Sequence, residues 1–145
     1  MIGRPIELLM IEDNPGDVRL TIEVLKDSKL KNNVTVMKDG YEAIQYLRGA
    51  LNDSSVSLPD LILLDWNLPR KNGSEVLAEV KSDPKLKRIP VVVLTTSEAE
   101  EDIVKAYDSH ANCFITKPIN LDQFITVIKS IEDFWFTIVK MPRGE

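Results

Sequence analysis

The chain has 145 residues, 43% of them hydrophobic, which suits one compact domain with a substantial core. Its formal net charge of -5 argues against nucleic acid as the main partner, because phosphate binding needs a clustered basic surface. No apolar run approaches the roughly 18 residues a membrane span needs, no signal peptide opens the chain, and the single cysteine, Cys113, excludes an internal disulfide.

Taken in chain order, short apolar runs alternate with helical patterns. Ile6–Ile11 is nearly all apolar, as expected of a strand buried on both faces of a parallel sheet. Glu12 and Asp13 follow it, and Pro15 suits the first turn of a helix on which Val18, Ile22 and Leu25 share a face. Residues 34–37 form a weaker strand candidate, and Ala43, Ile44 and Leu47 predict a second helix ending at Gly49. Residues 49–60 are polar, with serines and Pro59, and read as a loop. A third strand over 61–64 leads into Asp65, and Val76, Leu77 and Val80 predict a third helix stopped by Pro84. Lys85, Lys87 and Arg88 read as a solvated loop before a fourth strand, 91–94, which ends in Thr95, Thr96 and Ser97. Ile103, Ala106 and Tyr107 predict a fourth helix, with His110, the only histidine, as an exposed or capping residue at its end. Cys113, set among apolar residues, reads as a small buried hydrophobe in a fifth strand, 113–115. Thr116, Lys117 and Pro118 come next, and a long helix runs from 121 to about 138.

Five alternations of strand and helix predict an α/β domain with a mainly parallel sheet and helices on both faces. In such sheets ligands bind outside the carboxyl ends of the strands. Glu12, Asp13, Asp65, Thr95 and Lys117 all stand at those ends. Carboxylates gathered there repel one another unless a cation compensates, and oxygen donors favour a hard ion such as Mg²⁺. A lysine and hydroxyls beside that ion suit a phosphoryl group, with an aspartate as its nucleophilic acceptor. Taken singly, each residue has a plainer explanation. The acidic pair favours a helix start, Asp65 suits a turn, and Lys117 suits the surface.

The motifs Met10-Ile11-Glu12-Asp13-Asn14, Leu63-Leu64-Asp65-Trp66-Asn67-Leu68-Pro69, Val93-Leu94-Thr95-Thr96-Ser97 and Ile115-Thr116-Lys117-Pro118 occur in this order. With them the chain resembles the receiver domain of two-component response regulators over roughly residues 6–138. The resemblance implies a doubly wound, CheY-like (βα)5 fold with strand order 2-1-3-4-5, between tails at 1–5 and 139–145. It implies a phosphoacceptor signalling protein that assists its own phosphorylation and dephosphorylation, rather than an enzyme. Asp65 then accepts the phosphoryl group from a histidine kinase. Glu12, Asp13, Asp65 and the Asn67 backbone carbonyl hold Mg²⁺ or Mn²⁺. Lys117 contacts the phosphate, Thr95 and Phe114 act as switch residues, and Pro118 is a cis proline. The family's acidic pair is often two aspartates, so Glu12 is a mild departure, and Phe114 lacks the hydroxyl other aromatics bring there.

Rival readings fit less well. An aspartate-nucleophile phosphatase carries a second acid two residues after the nucleophile, where this chain has Asn67. A flavodoxin-like cofactor binder needs a Ser/Thr/Gly-rich loop after the first strand, where this chain is acidic. A receiver that only docks partners has no need of Asp65, Lys117 and the acidic pair together. On the last helix Phe124, Val127, Ile128, Ile131, Trp135 and Ile138 form one stripe, while Ile125 and Phe136 project well away from it and Phe134 lies at its edge. That leaves a partner or homodimer surface at the fourth helix, fifth strand and fifth helix, unless a tail folds back over it. The ending Ile131-Glu132-Asp133-Phe134-Trp135-Phe136, with Asp39-Gly40, is similar to regulators that partner phytochrome-type histidine kinases. The composition fits a cytoplasmic protein with neither nucleic-acid nor membrane partners.

Overall fold

The structure, a computed structural model, describes residues 5–28, 31–96 and 113–130, the last three by backbone alone. Five parallel strands lie in the order β2-β1-β3-β4-β5, as the resemblance implies. They are β1 (Ile6–Ile11), β2 (Asn32–Met37), β3 (Leu61–Asp65), β4 (Val91–Thr95) and β5 (Cys113–Thr116). Four described α-helices connect or follow them: α1 (Pro15–Lys26), α2 (Gly40–Leu51), α3 (Gly73–Ser82) and α4 (Leu121–Ser130). The expected fourth helix with its His110, Ser97, and the last helix beyond residue 130 lie outside the described residues.

The all-apolar strands are explained by two cores, one on each face of the sheet. Leu9, Ile11, Ile62, Leu64, Val91 and Val93 face α2 and α3, meeting Ala43, Ile44, Leu47, Val76, Leu77 and Val80. Their neighbours Leu8, Met10, Leu61, Leu63, Val92 and Leu94 face the other way, against Leu25 of α1 and Phe124 and Val127 of α4. Side chains alternate faces along a strand, so a strand covered on both sides has no polar register. Burying one such side chain stabilises by about 1.5–3 kcal/mol.

Helix ends follow local chemistry. Asn14, Asp39 and Asn72 accept backbone N–H groups at the starts of α1, α2 and α3. Asp83 after α3 is extended, as the residue before Pro84 must be. Helix α2 departs from expectation by running past Gly49 to Leu51. Ala50 is buried and Leu51 packs against the core, and their burial outweighs the entropic cost of a glycine inside a helix. The helix ends instead at Asn52, whose amide donates to the Arg48 carbonyl at 3.0 Å. Residues Leu86–Arg88 form a 3-10 turn rather than open loop, with Asp83 Oδ1 accepting from Lys85 N and Leu86 N. Ile125 does not project away from the core but packs half-buried against it, because the buried stripe of α4 is wide enough to include both flanks of Phe124. Cys113 is half-buried at the rim of the same core.

The register sets the site. Asp65 pairs with Leu94, and Thr95 pairs with Thr116. The ends of β3, β4 and β5 therefore come level, beside the end of β1.

Candidate functional site

Glu12 and Asp13 leave the end of β1, where Glu12 N donates to the Met37 carbonyl at 3.0 Å. Asn14 N donates to Glu12 Oε2 at 3.2 Å, fixing the side chain of a residue that is 1% exposed. Asp65 ends β3, and Asn67 N donates to its Oδ1 at 3.2 Å. One carboxylate oxygen each from Glu12, Asp13 and Asp65 lies within 4.8 Å of the others. Glu12 and Asp65 are buried and Asp13 is exposed, so the cluster opens to solvent on one side.

Lys117 is held by a backbone bond from its N to the Thr95 carbonyl at 2.7 Å, and its peptide bond to Pro118 is cis, as expected. Its Nζ lies 2.7 Å from Glu12 Oε1, 3.3 Å from Asp65 Oδ1 and 3.1 Å from Asp17 Oδ2. The Glu12 contact is a charge pair whose angles fall outside those of a hydrogen bond. Burial pushes the Glu12 carboxyl up to about 7, with Lys117 pulling it down and Asp65 adding to the rise. Burial also opposes the charge on Lys117, yet Glu12 and Asp65 hold its pKa above the usual lysine range. Burial dominates the rise at Glu12, whereas the neighbouring acids outweigh burial at Lys117. Lys117 stays charged, while Glu12 suffers burial and a like-charged neighbour at once.

Thr95 is wholly buried, and among the described residues its Oγ1 has no hydrogen-bond partner. A hydroxyl left so costs about 1–3 kcal/mol, the mark of a group kept for an absent partner. Phe114 is half-buried and packs against the α2–α3 core. Asn67 is exposed, just past Asp65. Glu12, Asp13, Asp65, Asn67, Thr95 and Lys117 thus stand at one edge of the sheet, while Phe114 lies within β5, opposite Val93. The donor set is oxygen only and carries more negative charge than Lys117 offsets, which fits a hard divalent cation. Such an ion would rest on Glu12, Asp13 and Asp65.

Three residues escaped the sequence reading. Asp17 reaches Lys117 from the first turn of α1. Its only signal was a further acid one helical turn after Asp13. Arg70 and Asp39 meet in an ion pair, Nη1 to Oδ2 at 3.2 Å, with the Arg70 guanidinium 4.5 Å above the Tyr41 ring. Arg70 has φ 65°, and Lys71 N donates back to the Pro69 carbonyl at 2.7 Å, making a three-residue turn centred on Arg70. Such a backbone costs on the order of 1–3 kcal/mol in a residue with a Cβ. An exposed ion pair offsets about 0.2–1 kcal/mol of that, and an exposed cation–π contact about 0.5–1 kcal/mol.

Known proteins are similar to this chain in sequence and fold. The response regulator receiver domain family matches residues 8–129. Response regulator Rcp1 of Synechocystis sp. is 45% identical over 140 residues, covering 97% of this chain and 95% of its own. The Mn²⁺-bound structure of Rcp1 superposes with a TM-score of 0.71 at 47% identity, covering 95% of this chain and 99% of that one. The phosphorylated cyanobacterial phytochrome response regulator RcpA gives 0.72 at 51% identity, over 92% of this chain and 96% of that one. The bacteriophytochrome response regulator AtBRR gives 0.83 at 40% identity, over 91% of this chain and 96% of that one. With a family match over residues 8–129 and a relative 45% identical along nearly its whole length, this chain belongs to the response regulator receiver domain family, phosphoacceptor proteins phosphorylated on an aspartate with a metal ion.

Proposed function

We propose that Asp65 is the phosphoacceptor of a receiver domain spanning residues 6–138, between tails at 1–5 and 139–145, and that a sensor histidine kinase is the donor. One observation carries this reading: the buried Lys117 ammonium touches both Glu12 and Asp65, with Asp13 completing the carboxylate cluster. An Asp65 oxygen attacks phosphorus and the P–N bond of the kinase phosphohistidine breaks. Its electron pair returns to the imidazole nitrogen, leaving an acyl phosphate on Asp65. Glu12, Asp13, Asp65 and the Asn67 carbonyl would hold Mg²⁺ or Mn²⁺, which would supply positive charge to offset the negative charge building on the phosphoryl oxygens. The Lys117 ammonium, in contact with Asp65, shares that task. The Thr95 hydroxyl then gains the partner it lacks by donating to a phosphoryl oxygen, and Phe114 takes up the space it leaves.

The likeness to phytochrome response regulators supports a kinase of the phytochrome type and a cytoplasmic site of action. The aromatic residues Phe134, Trp135 and Phe136 support a homodimer through the predicted fourth helix, β5 and the last helix. Incubation with Mg²⁺ and acetyl phosphate, read by intact mass, tests the chemistry. A metal-dependent gain of one phosphoryl group, absent in Asp65→Asn, is expected. No gain with acetyl phosphate or with a phosphorylated kinase would sink the reading. Sedimentation with and without phosphorylation tests the dimer, and a strict monomer in both states would exclude it.

A further inference from the structure

The segment between Asp65 and α3 is fixed at its two ends, and between them by buried Leu68, by the Lys71–Glu79 ion pair and by the clamp on Arg70. At the near end Trp66 N donates to the Leu94 carbonyl at 3.2 Å. At the far end Gly73 N donates to the Trp66 carbonyl at 3.1 Å. A Cβ on Gly73 would stand 2.7 Å from Trp66 Cα, so the two ends are pinched together. In the middle sits the strained turn at Arg70, three residues beyond Asn67. Nothing in the backbone requires a positive φ at an arginine, where a relaxed turn would reverse it. Among the contacts that hold it, the Arg70 side chain is itself gripped by Asp39 Oδ2 and the Tyr41 ring at the start of α2. Asp39 is itself buried and fixed, its Oδ1 accepting from Glu42 N at 2.7 Å. The strain and the two contacts are of similar size, so the clamp offsets a large share of the strain.

We infer that Arg70, gripped by Asp39 and Tyr41, is a positioning residue that holds the turn after Asn67 so that the Asn67 carbonyl faces the divalent cation, and thereby sets the cation affinity of the site. The inference rests on the reading of Asn67 as a carbonyl donor given above. Arg70 acts only through the backbone. Its charge alone would repel a cation, so an electrostatic role and a positioning role predict opposite signs.

The test is a calorimetric titration of the full chain with Mn²⁺ and with Mg²⁺, for wild type, Arg70→Ala, Arg70→Gly and Asp39→Asn. Arg70→Ala loses the clamp while keeping a Cβ at the strained position, and its affinity should fall about tenfold, the lower end for supporting residues around a metal. Arg70→Gly tolerates a positive φ and should recover part of that loss. Asp39→Asn keeps the helix cap but loses the ion pair, and should fall severalfold. Phosphorylation by acetyl phosphate should need more Mg²⁺ for half-maximal rate in Arg70→Ala, yet reach the wild-type rate at saturation. Melting without metal checks that each variant folds. Unchanged or tighter binding in Arg70→Ala and Asp39→Asn would overturn the inference, as would equal losses in Ala and Gly. A wild-type protein that binds no cation and takes up no phosphoryl group would overturn the functional reading and this inference together. Cation binding and phosphorylation intact in wild type and in every variant would overturn the inference alone.

Discussion

Lys117 Nζ lies 3.3 Å from Asp65 Oδ1, reaching across the end of β4, the strand that separates their own. The same ammonium also contacts Glu12, beyond β3 at the end of β1. One flexible side chain thus neutralises acids from two other strands, at a depth where only 14% of it is exposed.

That placement makes Lys117 a stabiliser of the metal-free fold as well as a participant in chemistry. Lys117→Met should destabilise the metal-free protein by about 3 kcal/mol, because it leaves buried carboxylates without a counter-charge. Urea unfolding with and without Mg²⁺ at on the order of 100 times its Kd measures this. The ion should restore up to about 2.7 kcal/mol by mass action. Asp65→Asn should move the other way in the absence of metal, since it removes one of the repelling acids. Equal stabilities for all three proteins would show that the cluster is already relaxed.

Glu12 links metal binding to pH. With its carboxyl pushed up to about 7 by burial and Asp65, the metal-free folded form keeps a proton there that the unfolded chain releases nearer 4.5. The unfolded state therefore binds fewer protons between those values, and metal-free stability should decline as pH rises from 4.5 to 7. A cation competes for the same oxygens, so its affinity should weaken as pH falls below about 7 and level off above it. Calorimetry from pH 5.5 to 8.5 in buffers of different ionisation enthalpy would detect the released proton, on the order of one per ion at the acid end. A flat affinity and no proton release would show that Glu12 is already ionised.

Thr95 carries a cost that phosphorylation should repay. Thr95→Val removes a buried hydroxyl that has no partner among the described residues, so the unphosphorylated protein should gain about 1 kcal/mol of stability. The same variant should still take up a phosphoryl group on Asp65 but lose the accompanying change in its NMR amide spectrum. A variant less stable than wild type would mean the hydroxyl is satisfied in solution.

Gly40 reports on how closely the loop after Asp65 rests on α2. A Cβ there would stand 2.0 Å from the Lys71 carbonyl oxygen and 2.6 Å from Val76 Cγ2. Gly40→Ala should therefore destabilise by about 1–3 kcal/mol through overpacking and slow phosphorylation of Asp65 by displacing the loop. Thermal melting and the acetyl phosphate assay together check both parts. A stable variant with slow chemistry would locate the whole effect in the loop.

The order of elements and the strand ends were legible in the sequence, because they depend on local pattern. Runs such as 61–64 are apolar throughout only when both faces are covered, and Glu12, Asp13, Asp65 and Lys117 directly follow such runs. Alternation of strand and helix then brings those ends to one edge. Periodicity says nothing of pairings between distant side chains, which depend on register and loop path. Only the tertiary structure decided that Asp17 joins Lys117, that Arg70 holds a strained turn against Asp39 and Tyr41, and that Thr95 Oγ1 is buried without a partner among the described residues. It also decided the end of α2 and the burial of Ile125, where packing against the core outweighed local preference. The rise in the Glu12 pKa belongs with these, since it comes from burial and a neighbour more than fifty residues away, Asp65, that the folded sheet alone brings alongside.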